Sequence, residues 1–293
     1  MKLYTNSLDY IETIKLTDQL SGSYNNEVIF HCFWNGKLNE KHYISILSCF
    51  YFNILNKDKR KIILWYDVEF EKNIWYEKIL SICEIKKFEY NNEIKNTFFE
   101  KKQIIIRNNQ YSYLSDVIRY VLLYKYGGIW FDLDIFFLKD INSLLSSFEN
   151  DICVYNWAEQ NYPNGAFFQN IKPFNLKFEN FVSYLIDLNR GFGFQESQIT
   201  FDSPVELLVL PCSWFDGPFC IGFTEPYKLL PNGGPDLNSF FKFTNKDVKL
   251  ENFATGAFCY HWHNLWYEDY EENSFFDRLK NDLNHKTKKY NLV

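Results

Sequence analysis

Residues 112–140 read SYLSDVIRYVLLYKYGGIWFDLDIFFLKD, and two periodicities meet inside them. Leu114, Val117, Ile118, Val121 and Leu122 recur at the three-and-four spacing of a helix with one buried face. Ser112 is placed to cap that helix, which puts Asp116 near its first turn, where the helix dipole favours negative charge. Gly127 and Gly128 supply a left-handed stop. The chain then enters residues 129–138, an apolar run that reads as one buried strand. Alternate residues of a strand share a face, so Asp132 and Asp134 are expected on one side, their Cα atoms roughly 6.5 Å apart.

Asp-x-Asp alone is a weak signal, since 17 Asp in 293 residues give about one such pair by chance. Its setting strengthens it. Charges are rarely placed inside so apolar a run unless something compensates them. Two carboxylates on one face suit a shared hard cation such as Mg²⁺ or Mn²⁺. Asp116 and Arg119, three apart, read on their own as a surface ion pair; packed beside the acidic strand, the fork of Arg119 suits sugar hydroxyls or phosphate.

Outward from this stretch, short apolar runs alternate with helical patterns. Residues 27–33, 61–66, 103–107, 152–155 and 205–210 read as strands, and 257–262 as extended. Residues 41–56, 74–82, 176–188 and 274–283 read as helices. The alternation predicts an α/β chain with a mainly parallel sheet covered on both faces. No repeat or Gly/Ser linker divides it. The reading is a lead segment (1–26), one domain (27–270) and a C-terminal helix and tail (271–293).

The 30 Phe, 21 Tyr and 8 Trp exclude a disordered chain, and 12 Gly with 8 Pro exclude collagen-like or low-complexity sequence. A net charge of −6 argues against nonspecific nucleic-acid binding, yet leaves room for an anionic ligand held through a cation. Seven Cys, an odd number with no Cys-x-x-Cys, fit reduced thiols better than a disulfide framework. Residues 1–18 carry charges throughout and show no signal-peptide core, and the charge-free run 42–56 is too short to span a bilayer. A cytoplasmic protein with no integral membrane segment is expected.

The ordered set Ser115, Asp116, Arg119, Tyr120, Gly127, Gly128, Trp130, Asp132 and Asp134 resembles the signature of the DXD sugar-binding-region glycosyltransferases, glycosyltransferase family 32. That family is related more distantly to the glucosylating domains of the large clostridial toxins. His31, Trp34 and Gly36 in IFHCFWNG resemble the family's His-x-x-Trp-x-Gly, and CYHWHNLWYE resembles its late His-Trp-rich segment, with Leu265 where members often carry Ser.

The resemblance implies a GT-A fold, a single Rossmann-like domain whose residues 27–140 bind the nucleotide sugar and whose residues 141–270 form the acceptor side. It implies a hexosyltransferase-type enzyme, metal-dependent and retaining, that uses Mn²⁺ or Mg²⁺ and a nucleotide-sugar donor, with a UDP-sugar favoured and a GDP-sugar possible. The acceptor is a glycan or other hydroxyl compound. Asp116, Arg119, Asp132 and Asp134 are the implied catalytic residues. Trp34, Asp116, Arg119, Asp132 and Trp266 are implied at the donor, with Trp34 stacked on the base. Asp132, Asp134, His261 and Asn264 are implied at the metal. Asn164, Gly165, Gln195 and Gln198 fall where the family builds its sugar or acceptor pocket, or in plain loops. Two alternatives stand beside this. One is a haloacid-dehalogenase-type phosphatase, which wants Thr or Val where this chain has Phe136. The other is a noncatalytic nucleotide-sugar-binding module.

Overall fold

The computed structural model of the chain describes residues 7–102, 111–158, 163–187, 205–224 and 234–290. The first half alternates α1 (Tyr10–Ile14), β1 (Val28–Phe33), α2 (Glu40–Cys49), β2 (Arg60–Tyr66), α3 (Ile74–Leu80), β3 (Glu84–Lys87), α4 (Tyr90–Glu93), α5 (Tyr111–Tyr126) and β4 (Gly128–Phe131). The second half adds β5 (Ile135–Phe137), α6 (Asn142–Ser147), β6 (Cys153–Asn156), β7 (Pro163–Asn170), α7 (Leu176–Asp187), β8 (Leu208–Leu210), β9 (Cys259–His261) and α8 (Phe275–Lys288).

Seven strands form one sheet in the order β3-β2-β1-β4-β7-β6-β8, and only β7 runs against the others. Both faces are covered, which is why the central strands read as nearly continuous apolar runs. Phe30, Cys32, Ile62, Leu64, Ile129 and Phe131 face a core shared with α2 and α8. Phe33, Ile63, Trp65 and Trp130 face a second core built with α5 and α7. From β1 the chain goes to β2 on one side and later to β4 on the other. The strand order therefore reverses between β1 and β4, and the crevice outside their carboxyl ends is where such sheets bind ligands. Phe30 pairs with Ile129 and His31 with Trp130, so Trp34 and Asp132 leave neighbouring strands at that crevice.

Gly127 and Gly128 make this junction possible. Both have positive φ (64° and 109°), and a Cβ on Gly128 would lie 2.2 Å from the Ile29 carbonyl oxygen. His31 ties the same junction: its Nδ1 accepts the Trp65 indole N–H at 3.1 Å, so its Nε2–H donates to the Gly127 carbonyl at 3.0 Å. Burial pushes this imidazole down to about 4, which keeps it neutral.

The structure corrects the reading of residues 129–138 as one strand. β4 ends at Phe131, Asp132 to Asp134 form a turn closed by Ile135 N–H to the Asp132 carbonyl (3.2 Å), and β5 pairs antiparallel with β9 in a separate two-stranded sheet. Asp132 and Asp134 therefore do not share the face of an extended strand. The helix also starts at Tyr111, placing Ser112 inside its first turn rather than at its cap. Strands β3 and β7 were not anticipated, and the expected strand 103–107 lies outside the described residues. The seven cysteines are free thiols, six of them buried. No helix among the described residues is long and apolar enough to cross a membrane.

Candidate active site

Three groups of side chains meet at the crevice. The first surrounds Asp132. The Arg119 side chain, 6% exposed, reaches Asp116 Oδ1 at 3.1 Å and Asp132 Oδ1 at 3.3 Å, and its guanidinium lies 5.1 Å from the centre of the Trp130 ring. The Trp130 indole N–H donates to Asp132 Oδ1 at 2.6 Å. The Asp116–Arg119 pair on α5, which on its own reads as a surface ion pair and beside the acidic segment as a donor-site pair, is a buried cation held between two carboxylates. Burial pushes Asp116 up to about 7 against the pull of Arg119, and it lifts Asp132 above the usual carboxylate range, with Arg119 opposing and Asp134 adding to the rise. Arg119 Nε is buried without a hydrogen-bond partner.

The second group surrounds Asp134, which is 2% exposed. Its Oδ2 accepts the Asn264 backbone N–H at 2.7 Å and lies 3.2 Å from His261 Nε2. This contact is built by β9 and the turn after it, where His263 and Asn264 both hold positive φ (48° and 61°), a strained pair at the site itself. The far nitrogen of His261, Nδ1, bonds the Tyr155 hydroxyl at 2.8 Å and lies 3.7 Å from Asp216 Oδ2. His263 stacks on His261 with ring centres 3.7 Å apart, and its Nε2 donates to both oxygens of the fully buried Asp216 at 2.9 Å. Burial would lower His261, but Asp134 and then Asp216 raise it to about 10. Burial would raise Asp134, but His261 and the Asn264 N–H hold it below the usual carboxylate range.

Asp134 Oδ1 is buried and has no hydrogen-bond partner. An orphaned carboxylate oxygen beside an imidazole is a donor set that fits Mn²⁺ or Mg²⁺. Among the described residues, ligand atoms of Asp216, His261 and His263 also lie within 4.8 Å of one another.

The third group is aromatic. Trp34 packs on His42 (4.1 Å between ring centres) and on Trp266 (4.9 Å). The segment bearing Trp266 is held by the start of α2. Asn39 Nδ2 donates to the Trp266 carbonyl at 3.1 Å, and the buried Lys41 donates to the Leu265 and Glu268 carbonyls at 2.6 and 2.5 Å. Leu265, the departure from the family pattern, thus contributes its backbone here.

Asp116, Arg119 and Asp132 are brought together, as are Asp134 and His261, and Trp34 and Trp266. Asn264 meets Asp134 through its backbone while the residue itself is exposed. Asn164 and Gly165 lie on β7, where the Asn164 side chain accepts the Ala166 N–H at 2.7 Å and the Ala166 carbonyl accepts the Asp132 N–H at 2.8 Å. Gln195 and Gln198 lie outside the described residues. Asp216, His263, Tyr155 and His42 were missed. For His263 a signal existed, because in HWH the outer two residues share a face when the middle one enters the core.

Residues 52–151 match the family model described as glycosyltransferase sugar-binding region containing DXD motif. Toxin A of Clostridium novyi is 38% identical over 80 residues, a stretch that covers 27% of this chain and 3% of the toxin. Among solved structures, the bifunctional glycosyltransferase WbbM is similar at a TM-score of 0.51 and 12% identity, over 91% of this chain and 50% of that one. The apo form of the glycosyltransferase GlyE of Streptococcus pneumoniae TIGR4 is similar at a TM-score of 0.50 and 13% identity, over 91% of this chain and 64% of that one. The fold is of the GT-A type. The model matched over residues 52–151 is that of a glycosyltransferase sugar-binding region, not of a phosphatase.

Proposed function

We propose that this chain, a DXD-motif glycosyltransferase by its matched region, moves a sugar from a nucleoside-diphosphate donor to a hydroxyl of a glycan or other acceptor, with metal dependence and retention of configuration. A UDP-sugar is the favoured donor and a GDP-sugar the alternative. The observation that carries the reading is Asp134, whose Oδ1 is buried and unpartnered at the reversal point of the sheet, beside His261.

Asp134 and His261 would hold the ion, with Asp132 and Asn264 completing the set proposed from the motif. When bound, a divalent cation supplies Lewis-acid stabilisation of the charge that grows on a departing diphosphate. The chain's own residues do the rest. Trp34 offers a ring for the base. Arg119, fixed by Asp116, Asp132 and Trp130, presents a preorganised cation whose Nε still has a hydrogen to give. Its three supports keep that cation from following the sugar as bonds change, so the field it exerts needs no rearrangement. Asp216 and Tyr155 hold the His261 ring by its far nitrogen and aim Nε2 at Asp134.

The test is sugar release and transfer from a panel of UDP- and GDP-sugars, with and without Mn²⁺, for the wild type and Asp134→Asn. Turnover of one donor that needs the metal and falls at least 100-fold in the variant is expected. Tight metal-dependent nucleotide binding with no turnover of any donor would favour the noncatalytic module instead, and turnover indifferent to EDTA would sink the metal reading.

A further inference from the structure

Beside the crevice, at the first turn of α2, sits an imidazole that the reading above does not use. His42 is fully buried. Its Nδ1 accepts the Asn39 backbone N–H at 3.0 Å, while Asn39 Oδ1 accepts the Lys41 and His42 N–H groups at 3.0 and 3.3 Å, a complete capping box. This cap decides the tautomer. A nitrogen that accepts a hydrogen bond carries no proton, so the proton of neutral His42 is on Nε2. Burial pushes the imidazole down to about 3, and Asp134 is near enough to oppose that fall without reversing it.

Nε2–H is therefore a standing donor, and it is buried without an acceptor. It does not stand alone. The indole nitrogens of Trp34 and Trp266, whose rings lie 4.1 Å from His42 and 4.9 Å from Trp34, are also buried donors without acceptors. A buried N–H left unpaired costs roughly 1–3 kcal/mol, so three in one cluster mark a place built for an acceptor that arrives from outside. All three are neutral donors, and none can accept. The ligand they suit is an oxygen-rich anion, and Asp134, the residue proposed above to hold the cation, lies near enough to His42 to act on it electrostatically.

We propose that His42 is a donor-binding residue whose Nε2–H donates to a diphosphate oxygen of the nucleotide sugar. The assignment rests on the donor reading above. It also explains why a histidine serves in a position where Glu or Gln normally completes a capping box: Glu would cap as well but would set a negative charge against the diphosphate.

Two substitutions separate this role from packing. His42→Phe keeps a ring against Trp34 and loses the donor. His42→Gln keeps both an acceptor for the Asn39 N–H and an N–H to give. Calorimetry with Mn²⁺ is run against UDP, GDP and the free nucleosides. Expected is a loss of about 10- to 100-fold in diphosphate affinity for His42→Phe, with nucleoside binding unchanged and His42→Gln within about threefold of wild type. Equal diphosphate affinity in His42→Phe, or an equal loss for nucleoside and diphosphate, overturns the assignment and leaves the donor reading standing. Failure of the wild type to bind either diphosphate overturns both. Should His42→Phe not fold, the wild type decides by NMR: titration with UDP and Mg²⁺ shifts the His42 Hε2 resonance, and an unmoved resonance overturns the role.

Discussion

Replacing Asp216 with Asn keeps the shape of the side chain and removes its charge. In the wild type both carboxylate oxygens lie 2.9 Å from His263 Nε2, and Oδ2 lies 3.7 Å from His261 Nδ1, with the carboxylate wholly out of water. An amide keeps one acceptor and turns an NH₂ toward an imidazole N–H. Removing one partner of a buried pair costs 3–5 kcal/mol; His263 retains 14% of its side-chain exposure, so about 3 kcal/mol is expected. For a chain of this size that is a fall in Tm of about 5 °C. The pH dependence has a definite sign. The folded pKa of His261, about 10, lies above its unfolded value, so its pairing stabilises fully below about pH 6.5 and is lost as pH rises through 10. The gap between wild type and variant in EDTA should narrow over that window. With His261 as a ligand, loss of its carboxylate support should also weaken Mn²⁺ binding about 10- to 100-fold. Urea unfolding followed by tryptophan fluorescence and a Mn²⁺ titration by electron paramagnetic resonance measure the two effects. A variant within about 0.5 kcal/mol of wild type, with unchanged Mn²⁺ affinity, would refute the reasoning.

Gly128→Ala, whose Cβ would meet the Ile29 carbonyl at 2.2 Å with φ at 109°, should abolish soluble folded protein; Gly36→Ala, also at positive φ but with nothing nearer than 3.9 Å, should cost only about 1–2 kcal/mol by circular dichroism. Arg119→Lys keeps the charge but cannot bridge Asp116 and Asp132 with one fork, so kcat/KM should fall about 10- to 100-fold, with a stability loss of about 1–3 kcal/mol by urea unfolding for the carboxylate left unpaired. Burial raises the folded pKa of Asp116 to about 7, so the folded state binds a proton more tightly than the unfolded one, and this group's contribution falls as pH rises from about 4 to 7, by at most about 4 kcal/mol. Asp116→Asn should flatten that slope in Tm against pH, and an unchanged slope would place the shift elsewhere.

The central strands were legible because burial on both faces leaves few polar residues in VIFHCF, KIILWY and GIWF. Helix α5 was legible because its apolar residues keep one face. The break at Asp132 was not. Period-two logic runs straight through IWFDLDIFFL, and what bends the chain is the pairing of β5 with β9, more than 120 residues onward. Strand β7 opens with Pro163, Asn164 and Gly165, residues that read as loop, although Pro is tolerated as the first residue of a strand. Asp216 sits in a short loop with no pattern around it, and its partners lie 45 and 47 positions later. Residues carried by a recognisable motif could be read even when they meet across the chain, as Asp134 meets His261 and Trp34 meets Trp266; Asp216, with no motif around it, could not.

Pairing of β5 with β9 also sets an order in time. β1 to β4 of the main sheet are complete by Phe131, whereas the strand that brings His261 to Asp134 starts at Cys259. As the polypeptide emerges during translation, its earlier half can begin to pack while the corner that joins His261 to Asp134 is still missing. The Asp134–His261 corner then forms as a late event, withheld until the second sheet closes, and a chain ending before Cys259 would carry all seven strands of the main sheet without it.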